Sequence, residues 1–159
     1  MFNTTVMIPG QAFFEAHVLG VSFNLAVRRF MVAIAGQESN WSARVQSGNG
    51  PAHSFWQFEK GGGVTGVLNH FSGRAHILKI CDALKVTPTP QAVWTEMAKL
   101  RGDNLSFAMA RLLIFTDRAQ VPDDDEGTWA YYLRNWRPGK PKPKAWARNM
   151  AEARRVVVS

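Results

Sequence analysis

The chain has 159 residues, of which 46% are hydrophobic, with 19 Lys and Arg against 12 Asp and Glu for a formal net charge of +7 at pH 7. That length suits one domain with a sizeable core, and the apolar content, with six Trp and ten Phe, excludes a disordered chain. The charge is uneven: residues 1–133 hold 11 basic and 11 acidic side chains, whereas residues 134–159 hold eight basic ones and only Glu152, which excludes a uniformly basic nucleic-acid coat.

Cys81 is the single cysteine, so no intrachain disulfide forms, and no Cys/His pairing suggests zinc. Neither a metal nor an organic cofactor is expected. No run of about 18 apolar residues predicts a membrane span. Met1 to Thr5 lack the basic and apolar blocks of a secretory signal, so a substrate outside the cytoplasm would have to be reached by another route.

In chain order, Phe13, Phe14, Val18 and Leu19 predict a first helix, and Gly20 to Asn24 break it. Val27, Phe30, Met31, Ile34, Glu38 and Trp41 then follow one helical face. The turn signal Ser47-Gly48-Asn49-Gly50-Pro51 precedes His53 to Glu59, which reads as a strand with Phe55, Gln57 and Glu59 on one face and Ser54, Trp56 and Phe58 on the other. Gly61 to Gly63 form a loop before a helix over residues 64–71. Ile77, Ile80, Cys81 and Leu84 predict the next helix, ended by Pro88, and Pro90 opens another carrying Val93, Trp94 and Met97. Asn104 is read as the cap of a helix through Phe107, Ala110 and Ile114. The acidic run Asp123 to Glu126 starts a helix presenting Trp129, Tyr132 and Trp136, which Arg137-Pro138-Gly139 stops. A last helix spans residues 145–156.

Glu38 is the oddity in this pattern: a carboxylate continues an apolar stripe. If buried, it would resist ionisation, as a general acid in glycoside cleavage must; if it lies at the helix end, it points to water. The strand adds Gln57, able to bond an N-acetyl group, and Glu59, which is either a base or a solvated charge paired with Lys60. In the inverting scheme two carboxyls stand about 6.5–9.5 Å apart around a water, whereas in a transglycosylase one acid suffices.

The segment Ile34 to Trp41, with Glu38-Ser39 at a helix end, followed by Gly48-Asn49-Gly50 and then Phe55-Trp56-Gln57-Phe58-Glu59, resembles goose-type lysozymes and lytic transglycosylases in order and spacing. Pro51 to Ser54 replace that family's glycine-rich approach to the strand, and Glu59 stands where it has an aspartate. Residues 108–117 and 131–141, the latter with Trp136-Arg137-Pro138-Gly139-Lys140-Pro141, resemble blocks of lysozyme-like proteins of tailed bacteriophages.

The resemblance implies a predominantly helical α+β, lysozyme-like fold, a single catalytic domain over residues 1–159 with a short β-hairpin around residues 45–59 beside the cleft. It implies a muramidase, a phage endolysin or virion-associated lysin, cleaving the β-1,4 bond between N-acetylmuramic acid and N-acetylglucosamine of bacterial peptidoglycan. A lytic transglycosylase and a non-catalytic wall-binding virion protein are the alternatives. Glu38 is the expected acid and Glu59 the candidate second catalytic residue, with Ser39, Ser54, Gln57, Trp56 and Tyr132 as substrate contacts. Tyr132, Trp136, Trp56 and Trp41 either stack on sugars or fill the core. Asp117 is expected to cap its helix or to pair with Arg118 or Arg111. A monomer is expected, acting from the host cytoplasm through a holin or carried in the virion. The basic segment over residues 134–159 is read as an edge for anionic envelope polymers, with no nucleic-acid partner, and residues 1–29 as a helical segment of open role.

Overall fold

In the computed structural model, which describes residues 1–159, a π-helical turn Asn3–Met7 leads into α1 (Ile8–His17). There follow α2 (Leu25–Ser39), β1 (Ala52–His53), β2 (Phe58–Glu59), a π-helical turn Lys60–Val64, and α3 (Thr65–Asn69). The chain continues through α4 (Arg74–Leu84), α5 (Pro90–Met97), a 3-10 turn Leu100–Gly102, α6 (Asp103–Thr116), α7 (Asp125–Trp136) and α8 (Pro143–Val156). The protein is therefore mostly helical with one small antiparallel sheet, an α+β arrangement dominated by α.

Local chemistry sets the helix ends. The side chains of Asn24, Thr89 and Asp124 cap α2, α5 and α7 by accepting the N–H of Val27, Ala92 and Gly127. The α2 helix ends on Asn40 and α7 on Arg137, both left-handed, with φ of 50° and 49°. The helix expected from an Asn104 cap begins two residues earlier, at Asp103 with Gly102 at the cap position, because Leu100–Gly102 already turn the chain into it. Asp103 instead takes a bidentate pair from Arg44, at 2.8 Å on each oxygen, which ties the chain after α2 to α6.

At the centre lies α2, buried continuously from Phe30 to Gly36 and packed along α8. One hydrophobic cluster runs from Val6 to Val157. Residues 1–29 belong to it: Val6, Met7, Phe14, Val18, Val21 and Val27 are all buried. The α1 helix meets α6 so closely that a Cβ on Gly10 would sit 2.5 Å from the Phe107 ring. The N-terminal segment is thus integral to the core.

The continuous strand expected over residues 53–59 is not formed. Pairing is limited to Ala52 with Glu59 and His53 with Phe58, plus a bridge from Val45 to His53, and residues 54–57 make the turn between. Ser54 and Gln57 have φ of 73° and 51°. The turn is closed by Gln57 N–H on the Ser54 carbonyl at 3.0 Å and by Trp56 N–H on Ser54 Oγ at 3.2 Å. Packing overrides the extended propensity here: the turn drives Phe55 and Trp56 into the core, where Trp56 is 0% exposed and donates its indole N–H to Met31 O at 2.9 Å.

Candidate functional site

A cleft of about 1240 Å³ opens between the end of α2, the β-hairpin, the Lys60–Val64 turn and the segment joining α7 to α8. It exceeds the about 300–1,000 Å³ of a small-molecule pocket. Its walls carry two carboxylates, Glu38 and Glu59, and five Arg and Lys side chains, Arg134, Arg137, Lys140, Lys142 and Arg148.

Glu38 occupies the last turn of α2 and lines this cleft, half-buried. Burial pushes its carboxyl above the usual range, against the opposing pull of a hydrogen bond from Tyr132 and the nearby positive charge of Lys142. The Tyr132 hydroxyl donates to Glu38 Oε1 at 2.5 Å, and Oε2 has no protein partner. One oxygen is therefore fixed while the other is free to carry a proton to a ligand. The helix end is itself braced: Trp41 folds back over Gly36, where a Cβ would lie 2.3 Å from the ring, and donates its indole N–H to Val32 O at 2.8 Å. Only glycine leaves room for that ring.

The other sequence candidates separate into cleft and core. Ser39, Gln57 and Glu59 line the cleft with Glu38. Ser39 Oγ donates to Ala35 O at 3.0 Å and keeps acceptor capacity. Gln57 Nε2 is engaged by Ser54 O at 2.8 Å, leaving its carbonyl oxygen unpaired. Glu59 is exposed at the end of β2 and does not pair with Lys60, whose ammonium bonds Gln91 at 2.9 Å.

Ser54 and Trp56 are corrected. Both are buried, at 1% and 0% exposure, and both serve the turn and core rather than the cleft. Tyr132 is corrected in role: its ring, 2% exposed, stacks on Trp146 at 5.1 Å and contacts Trp129 at 5.3 Å. No face is left for a sugar, and only its hydroxyl reaches the acid. Asp117 pairs with Arg134 at 2.7 Å and Asn135 at 2.9 Å, not with Arg111 or Arg118. Arg111 is buried, donates to Ser22 O, and is pulled down to about 10 by desolvation.

Sequence reasoning missed His70, Gln46, Asn40 and the whole basic wall as cleft residues. The run Arg134–Lys144 was visible as charge, but nothing local placed it beside Glu38. It is held there by Gln37, which donates to Lys142 O at 2.9 Å and accepts from Asn149 at 2.8 Å. No group of three or more His, Cys, Asp or Glu side chains is close enough to hold a metal, and no helix is long and apolar enough to cross a membrane.

The cleft is thus defined by one hydrogen-bonded, desolvated carboxyl, a second carboxylate and a cationic wall. No protein-family model, curated protein or solved structure matches the chain.

Proposed function

We propose that the protein is a lysozyme-like glycosidase that cleaves the β-1,4 bond between N-acetylmuramic acid and N-acetylglucosamine of bacterial peptidoglycan, with Glu38 as general acid. The observation that carries this reading is the Glu38 carboxyl: desolvated, held by Tyr132 through one oxygen only, and opening on a polymer-sized cleft. A carboxyl whose pKa is raised by burial holds its proton more readily and can deliver it to the glycosidic oxygen as the bond breaks. Glu59, on the same cleft, is the base that activates water for hydrolysis. Gln57 and Ser39 supply hydrogen bonds to the N-acetyl and hydroxyl groups of the strand.

The resemblance of residues 108–117 and 131–141 to phage lysozyme-like blocks supports host-wall lysis, by an endolysin released through a holin or by a lysin carried in the virion. The test is digestion of purified peptidoglycan by the wild type and by Glu38→Gln, with mass spectrometry of the products. The wild type is expected to leave reducing ends, and the variant to lose about 10²–10⁴-fold in rate. Products with 1,6-anhydro ends would make it a lytic transglycosylase, unchanged clearing by Glu38→Gln would remove Glu38 from the mechanism, and binding without any clearing by the wild type would make the protein a wall binder.

A further inference from the structure

The basic residues of the C-terminal segment fall into two groups. Arg134, Arg154 and Arg155 are matched by Asp117, Asp125 and Glu152. Arg137, Lys140, Lys142 and Arg148 take part in none of the six ion pairs of the protein, yet all four line the cleft that holds Glu38. Lys144 is also unpaired and lies outside it. Unpaired like charges gathered on one wall repel one another, and an anionic ligand relieves that repulsion.

The row is presented by a defined backbone. It begins at the left-handed Arg137 that ends α7 and runs through Pro138, Pro141 and Pro143, with the carbonyl of Lys142 fixed by Gln37 next to the acid. Prolines limit the freedom such a segment loses on binding. The cleft aromatics do not form a stacking platform for nucleic-acid bases: Phe58 and Tyr132 are buried and Trp136 is half-buried, its indole N–H donated to Trp56 O at 3.0 Å.

We infer that this wall is a subsite for the carboxylates carried by the peptide substituents of the glycan, so that the protein selects anionic, peptide-bearing strands over neutral β-1,4-linked N-acetylglucosamine chains. The inference rests on the glycosidase reading and adds the charge of the substrate to it.

The test compares soluble peptidoglycan strands, freed of phosphate polymers, with the same strands after their carboxylates are converted to amides. Binding is measured with Glu38→Gln, which leaves both strands uncut, and cleavage with the wild type. Native strands are expected to bind about tenfold more tightly than amidated ones at low salt, the difference shrinking as ionic strength rises. In the same background, replacing Arg137, Lys140, Lys142 and Arg148 by Gln is expected to weaken native-strand binding about tenfold, with no further loss when the strand is also amidated. Equal binding of the two strands alongside intact wild-type cleavage overturns this inference alone. Absence of cleavage and of binding to either strand overturns the proposed function as well. Competition by a single-stranded oligonucleotide as strong as by native glycan also overturns it, in favour of a nucleic-acid surface.

Discussion

Tyr132 donates its hydroxyl to Glu38 Oε1 across 2.5 Å, joining α7 to the last turn of α2 through residues 94 positions apart in the chain. The bond opposes burial, since a donor to the carboxylate favours the charged form. It therefore sets both the orientation of the acid and how far its proton is held. The phenol in turn is pushed well above its ordinary range, by burial first and then by the adjacent carboxylate, and stays a donor at any physiological pH.

Tyr132→Phe removes the larger of the two contributions that lower the Glu38 pKa and leaves burial opposed only by the charge of Lys142. The pH at which activity falls as the acid ionises is expected to move upward, with kcat reduced about tenfold by lost orientation and KM little changed because the ring does not face the cleft. A pH–rate profile checks this, and an unmoved or lowered alkaline limb would rule out the coupling.

Glu38 also links stability to pH. Its folded carboxyl is raised above the unfolded value, so the stability it contributes is full below the ordinary carboxyl range and is lost as pH rises through the folded pKa. Glu38→Gln keeps an acceptor for Tyr132 without the buried charge. The variant is expected to melt at a higher Tm than wild type at pH 7, the gap closing toward pH 4, as thermal unfolding across that range will report.

Trp56 is a core residue, and its variants should show that in stability rather than in binding. Trp56→Ala is expected to cost about 3–5 kcal/mol from the cavity left among Met31, Phe2 and Phe107. Trp56→Phe loses mainly the bond to Met31 O, about 1 kcal/mol. Urea unfolding separates the two values, and a small loss for Trp56→Ala would contradict the burial.

Arg137 combines a strained backbone with a place on the cleft wall. At φ of 49° it holds a position that favours glycine. Arg137→Gly is expected to stabilise the protein by about 0.5–1 kcal/mol while weakening glycan binding. Denaturation and a binding isotherm on the same variant test both signs, and a loss of stability would mean that the side chain contributes more than the strain costs.

Much of the architecture was legible in residue spacing. The apolar stripe of α2, the break over Gly20 to Asn24, the Pro90 start of α5 and the acidic start of α7 each act within a turn or two of the chain, where local preferences are strong. The hairpin was legible only in position. Its turn at residues 54–57 depends on Trp56 finding Met31, a contact that propensity along the strand does not encode. For the same reason Ser54 and Trp56 read as cleft residues in sequence and fill the core in space.

The +7 charge divides along the same line. The sequence by itself determined that the excess is confined to residues 134–159 and that Glu38 interrupts an apolar face, because composition and period are properties of the chain. Only the tertiary structure decided that these two features meet. Packing of α8 along α2, with Gln37 bonded to Lys142 O and Asn149, turns the basic segment into a wall of the cleft that holds the acid. The physical reason is that such contacts span more than 100 residues and are selected by shape and hydrogen bonding between buried faces, which no local pattern specifies.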